Sequence, residues 1–165
     1  MMKECKKFID KVRKTYWIDE KRLRDPKFWF MKASPYHSAV LYLQEEFRHI
    51  KNGSEISHLN NAINTVPYLT GLAAELYMKG YLVFKGVDPN DVRKIRHDLS
   101  YLRNECLKHG DSRFENDDLV FLTDTLGVHI MVDGGIRYPD KIDMPIYVTL
   151  FESALGVLRE IAREI

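Results

Sequence analysis

Residues 59–84 read LNNAINTVPYLTGLAAELYMKGYLVF. Leu59, Ala62, Ile63, Val66, Leu69, Ala73, Leu76, Gly80 and Val83 recur at steps of three and four, the spacing that lines one face of an α-helix. Pro67 falls inside the pattern. It predicts a kink or a break there, because proline removes a backbone donor and its ring crowds the preceding turn. Gly86 is the expected stop.

The same period extends downstream. Asp88-Pro89 reads as a cap followed by proline at the first helical position. Val92, Ile95, Leu99, Leu102 and Cys106 then continue as one helix that Gly110 closes. A further helix is expected over residues 115–131 and ends at Gly134-Gly135. Glu115, Asp117 and Asp118 cap its N-terminus, where the macrodipole favours negative charge. The last helix runs from about residue 145 to the end, with Val148, Phe151, Leu155, Leu158 and Ala162 facing inward.

Upstream, Ser34-Pro35 reads as the cap and first turn of a helix that stops at Asn52-Gly53. Ala39, Leu43, Phe47 and Ile50 share one of its faces. Residues 3–24 are dense in charge, with Phe8, Ile9, Val12, Tyr16 and Trp17 on a looser stripe that Asp25-Pro26 breaks. The run Lys27-Phe28-Trp29-Phe30-Met31 is expected to pack a connection onto the core, since aromatics supply large buried area. Strand alternation of useful length, internal repeats and low-complexity linkers are absent. Five or six amphipathic helices must cover one another's apolar faces. The expected fold is therefore all-α, a single-domain helical bundle over residues 1–165, with residues 1–50 as a helical extension packed on it.

Composition narrows the function classes. The chain has 165 residues, 45% hydrophobic and 30% charged, which suits one domain with a real core. Its 25 basic and 24 acidic residues leave a net charge of +1, so there is no global pull toward nucleic acid, and such binding requires a local patch. Cys5 and Cys106 are expected to pack as small apolar side chains rather than form a disulfide framework or a zinc signature. No apolar core follows the charges of Met1-Met2-Lys3-Glu4-Cys5-Lys6-Lys7, and no run approaches the roughly 18 apolar residues of a membrane span. A cytoplasmic protein without membrane contact is expected. His37, His49, His58 and His129 lack the spacing of a metal site. There is no glycine-rich phosphate loop and no serine-nucleophile pattern, so neither metal nor cofactor is expected.

Three segments carry a family resemblance. Ala74-Glu75-Leu76-Tyr77-Met78-Lys79-Gly80-Tyr81-Leu82 is similar to a Glu-Leu-x-x-Lys-x-x-Leu helix. His97-Asp98-Leu99-Ser100-Tyr101-Leu102 is similar to a His-Asp-Leu stretch that opens or lies in the next helix. Ile136-Arg137-Tyr138-Pro139 is similar to an Arg-Tyr-Pro element before the last helix. In this order, residues 55–165 resemble the HEPN domain, the helical higher eukaryotes and prokaryotes nucleotide-binding family. Where that family often carries a glycine-bearing connection directly before His-Asp-Leu, this chain has Val92-Arg93-Lys94-Ile95-Arg96. The resemblance implies nucleotide or RNA binding, a homodimer, and a partner protein encoded alongside.

Each motif has a simpler structural reading. Glu75 and Lys79 have the spacing of a solvated surface ion pair as well as of a ligand-facing one. His97 either bonds a backbone carbonyl or reaches a ligand phosphate. Arg137-Tyr138-Pro139 shapes the start of the last helix. Arg93, Arg96, Ser100 and Arg103 would form one stripe on a continuous helix, either a phosphate contact or a solvated face. With Glu75, Lys79, His97 and Asp98, Arg93 and Arg96 are the candidate ligand-binding residues.

The family also contains metal-independent ribonucleases with an Arg-x(4–6)-His motif. In these, histidine performs acid–base chemistry and arginine stabilises developing phosphate charge. Arg103-Asn104-Glu105-Cys106-Leu107-Lys108-His109 fits that spacing and makes Arg103 and His109 the candidate catalytic pair. On a straight helix the two would point about 120° apart, so they converge only if the helix ends before His109 or a second chain completes the site. Three readings follow: a binding module for nucleotide or RNA phosphate, an endoribonuclease of toxin or phage-defence type, or an interaction protein without a ligand site.

Overall fold

A computed structural model of the chain describes residues 20–49, 65–131 and 148–165. The described residues form seven α-helices, one 3-10 turn and no strand. They are α1 (Glu20–Leu23), α2 (Pro26–His49), α3 (Thr65–Phe84), α4 (Pro89–Lys94), α5 (Leu99–Leu107), α6 (Asp117–Met131) and α7 (Val148–Arg163), with the 3-10 turn Ser112–Glu115 before α6. The all-α bundle expected from periodicity is the observed fold. The N-terminal charged stripe, residues 59–64, Asn52-Gly53 and Gly134-Gly135 lie outside the described residues.

Helix α3 is the axis of the bundle. It is buried on almost every side, as a helix apolar all round must be, and it packs against α2, α4, α5, α6 and α7. The described helix begins at Thr65, two residues before Pro67, and the part of the pattern upstream of it lies outside the described residues. The proline occupies the first turn, where its missing N–H has no helical partner to lose. At the other end, Gly86 N–H donates to Val83 O and Val87 N–H to Leu82 O, which closes the helix at the predicted glycine. Gly80 serves a close approach. A Cβ there would collide with the Phe30 ring and lie 3.0 Å from Trp29 Cβ, so α2 can dock only on a bare backbone.

Two predicted boundaries are corrected. Helix α2 starts at Pro26 and continues through Pro35, so the aromatic run is its first turns and not a connection. Asp25 starts it by accepting from Lys27 N–H (3.0 Å), with Pro26 at the first helical position. Pro35 and Met31 are both exposed, so water can take the Met31 carbonyl that Pro35 leaves without a donor. The expected helix from Asp88 to Gly110 is instead two. Asp88 caps α4 through Asn90 N–H, the backbone turns extended at Ile95, and Asp98 accepts from Tyr101 N–H (2.8 Å) to begin α5. The side chain of Asp98 thus restarts the helix and sets His97 in the bend. A smaller correction concerns α6. Asn116 is its hydrogen-bonding cap, accepting from Asp118 and Leu119 N–H, while Asp117 and Asp118 lie in the first turn as expected and Glu115 ends the preceding 3-10 turn.

Phe151, Ala154, Leu155, Leu158 and Ile161 turn one face of α7 into the core. Cys106 is buried there too, its thiol meeting Met78 O at 3.5 Å and pushed well up by burial, in keeping with a packing role. His37 on α2 is also buried and shares a hydrogen bond with Tyr77 Oη (3.2 Å). Burial first, then the Arg159 guanidinium, hold its pKa down to about 4 from an ordinary 6.5. Between those values the unfolded chain takes up a proton that the folded chain refuses. Stability therefore falls as pH drops through that window, by no more than about 3 kcal/mol from this residue. Urea midpoints at pH 7 and pH 4.5 should fall less for His37→Gln than for the wild type. Equal losses would assign the acid sensitivity to other groups.

Candidate functional site

Glu75, Lys79 and His97 are brought together at the bend between α4 and α5. Glu75 and Lys79 stand one turn apart on α3 and are only 7% and 6% exposed. Lys79 Nζ donates to Glu75 Oε1 (2.6 Å), and Glu75 Oε2 lies 2.7 Å from His97 Nδ1. The pair is therefore buried rather than solvated, and His97 meets a carboxylate rather than a backbone carbonyl. Removing two charges from water costs several kcal/mol each, and charge-assisted bonds at both carboxylate oxygens offset that cost. A carboxylate paired to an ammonium accepts, so Nδ1 donates to it, and in the neutral form of the ring Nε2 holds the lone pair. The rest of the His97 side chain is open, at 56% exposure.

The helix break disperses the predicted basic stripe. Arg93 faces a groove beside α3, while Arg96 lines a second depression with Tyr101. Ser100 turns to α6, its Oγ 3.0 Å from both Thr123 O and Asp124 Oδ1. Arg103 follows it. Its guanidinium donates to Phe114 O (3.4 Å) and stands 4.0 Å from Asp124, with only 13% of the side chain exposed. Asp98 is occupied as the cap of α5, and Lys94 is paired with Asp91 (2.7 Å).

Helix α5 ends at Leu107, so His109 lies beyond it and escapes the straight-helix divergence from Arg103. Gly110, at φ +81°, takes the left-handed turn that completes the exit, a conformation glycine adopts without penalty. The His109 ring stands edge-on to Tyr81, with centroids 6.5 Å apart. Among the described residues no hydrogen bond or ion pair joins His109 to Arg103. Arg137, Tyr138 and Pro139 lie outside the described residues, as do Cys5 and His58.

The groove beside α3 encloses about 360 Å³. Phe28, Trp29 and Tyr36 from α2 supply aromatic surface, and Lys32, Lys79 and Arg93 supply cations. Leu23 and Leu76 complete the lining, and among the described residues no carboxylate belongs to it. Lys79 is neutralised by Glu75, whereas Lys32 lies over the Phe28 ring (5.7 Å) and Arg93 has no ion pair among the described residues. Two uncompensated positive charges therefore border an aromatic cleft. The second depression, about 460 Å³, mixes Asp91 and Asp98 with Lys94 and Arg96 and has no comparable charge bias.

Phe28, Trp29, Lys32 and Tyr36 were missed as site residues. The signal was present: Phe28, Lys32 and Tyr36 are spaced by four and share a helix face once Asp25-Pro26 is read as a start. Compared with protein-family models, with curated proteins and with solved structures, the chain has no match. Among the described residues no helix is long and apolar enough to cross a membrane.

Proposed function

We propose that this protein is a HEPN-like binding module that holds a nucleotide, or a nucleotide unit of RNA, in the groove beside α3. The observation that carries the reading is the aromatic cleft bordered by Lys32 and Arg93, with no acidic residue in its lining among the described residues. Aromatic faces accept a base by stacking, worth about 1–3 kcal/mol per base. Arg93 offers a planar fork for a phosphate and Lys32 a point charge. Lys79, held from behind by Glu75, adds a fixed donor to the cleft. A homodimer and a partner protein encoded alongside belong to the same proposal and rest on the family resemblance alone.

Calorimetric titration with ATP, GTP and a short single-stranded RNA tests the reading. Binding to at least one should weaken with added salt. Arg93→Ala and Lys32→Ala should each cost about 1.5 kcal/mol, roughly tenfold in affinity, where the side chain meets phosphate. Each should also flatten the salt slope by about one counterion. Absence of heat with all three ligands at low salt would overturn it.

A metal-independent endoribonuclease is the second reading. One observation favours it: α5 ends before His109, which leaves that ring free of the helix. Its cost is that Arg103 would have to leave Phe114 O and Asp124 to meet a phosphate.

A further inference from the structure

We propose that His97 is a phosphoryl acceptor, modified at Nε2, with buried Glu75 as the residue that positions and activates its ring. Three observations converge on it. Glu75 Oε2 fixes Nδ1 at 2.7 Å, which sets the tautomer and directs the Nε2 lone pair away from the helix bundle. Glu75 cannot drift, because its other oxygen is held by Lys79 at 2.6 Å and the whole residue is buried. The His97 side chain itself is 56% exposed, so a donor can reach it. A nucleophile oriented by a group that is itself anchored is the arrangement that covalent catalysis uses.

Cations adjoin His97 in the sequence, which suits an anionic donor. Arg96 precedes His97 in the chain, Arg93 stands four residues before it on α4, and both are exposed without an ion pair among the described residues. The nearby acids are committed, Asp91 to Lys94 and Asp98 to the cap of α5. A metal-ligand role is less suited to the ring, because no group of three His, Cys, Asp or Glu among the described residues is arranged to share an ion. Of the other histidines whose side chains are described, His37 is buried, and His109 is exposed but has Tyr81 beside it and no carboxylate bond.

The step balances with a phosphoramidate donor. The Nε2 lone pair attacks phosphorus and forms a P–N bond while the donor's own P–N bond breaks. The leaving nitrogen departs as ammonia, carrying its own protons. Nδ1 keeps its proton, and the positive charge gained by the ring is shared with the Glu75 carboxylate. This inference does not rest on the groove's holding a nucleotide, and its test uses no nucleotide.

The full chain is incubated with potassium phosphoramidate, and each histidine is followed by mass mapping, with the isomer assigned by NMR. His97 should be phosphorylated on the order of tenfold faster than His109 in the same molecule, at Nε2. Glu75→Gln should bring the His97 rate down to that of His109 and leave His109 unchanged, and His97→Gln should remove the fast site. A His97 rate no higher than that of His109, or a product at Nδ1, would overturn the proposal. So would a folded Glu75→Gln variant that reacts as fast as the wild type. Should Glu75→Gln not fold, the comparison within the wild-type molecule decides alone.

Discussion

Glu75→Ala is expected to lower the stability of the fold by about 3–5 kcal/mol, because it leaves the Lys79 ammonium buried without its counter-charge. In a domain of this size that corresponds to a fall in Tm on the order of 10 °C. Lys79→Met, which removes the ammonium but strands the carboxylate with only His97, should also destabilise, though less, since the exposed His97 ring still bonds the carboxylate at 2.7 Å. Replacing both, as in Glu75→Leu with Lys79→Met, should recover most of the loss. A buried pair often contributes no more than well-packed apolar side chains of the same volume. Thermal melts of the three variants measure this directly. A loss under about 1 kcal/mol for Glu75→Ala would mean that the pair behaves as a solvated surface pair and that water reaches Lys79. The same buried pair is what the groove and His97 have in common: one of its members lines the cleft, and the other fixes the ring.

The bundle was legible because long apolar periods are hard to satisfy in any other way. Val66, Leu69, Ala73 and Leu76 on α3, and Phe151, Leu155 and Leu158 on α7, announce their helices without tertiary context. What could not be read was the choice between competing local signals. Asp25-Pro26 and Ser34-Pro35 both look like helix starts. The first is the real one, because the Phe30 and Trp29 side chains dock against Gly80 only if the helix already exists there. Val92, Ile95, Leu99 and Leu102 keep perfect helical spacing across a bend, because Asp88 and Asp98 each cap a short helix whose apolar residues still face the same core. Burial of Glu75 and Lys79 was likewise invisible. An (i, i+4) pair has one pattern whether water or α3's neighbours surround it, and only the packing of α2 and α4 against α3 decides. The groove was lost for the same reason, since half of it stands on the first turns of α2.

Phe114→Ala should be comparably damaging, at about 3–5 kcal/mol. A lone phenylalanine between Arg113 and Glu115 has no periodicity to mark it, yet it is wholly buried and its ring packs on Tyr81 with centroids 4.7 Å apart. The 3-10 turn that carries it is set by Asp111, which accepts from Arg113 N–H and Nε and thereby aims the phenyl inward. Asp111 is held below the usual carboxylate range by the hydrogen bond from the Arg113 side chain, and Arg113 also ties Glu164 near the C-terminus. Removing the ring opens a space beside Tyr81, whose buried phenol already has no hydrogen-bond partner among the described residues and is pushed up to about 12 by burial, with Asp111 adding to the shift. Phe114→Leu should cost far less, about 1 kcal/mol, by keeping most of the volume. The backbone carbonyl that receives Arg103 survives both changes, so the two variants separate packing from the Arg103 contact. Urea denaturation of both, beside Arg103→Met, is the measurement. An Arg103→Met loss exceeding that of Phe114→Ala would place the polar contact, not the phenyl ring, at the centre of the α5–α6 junction.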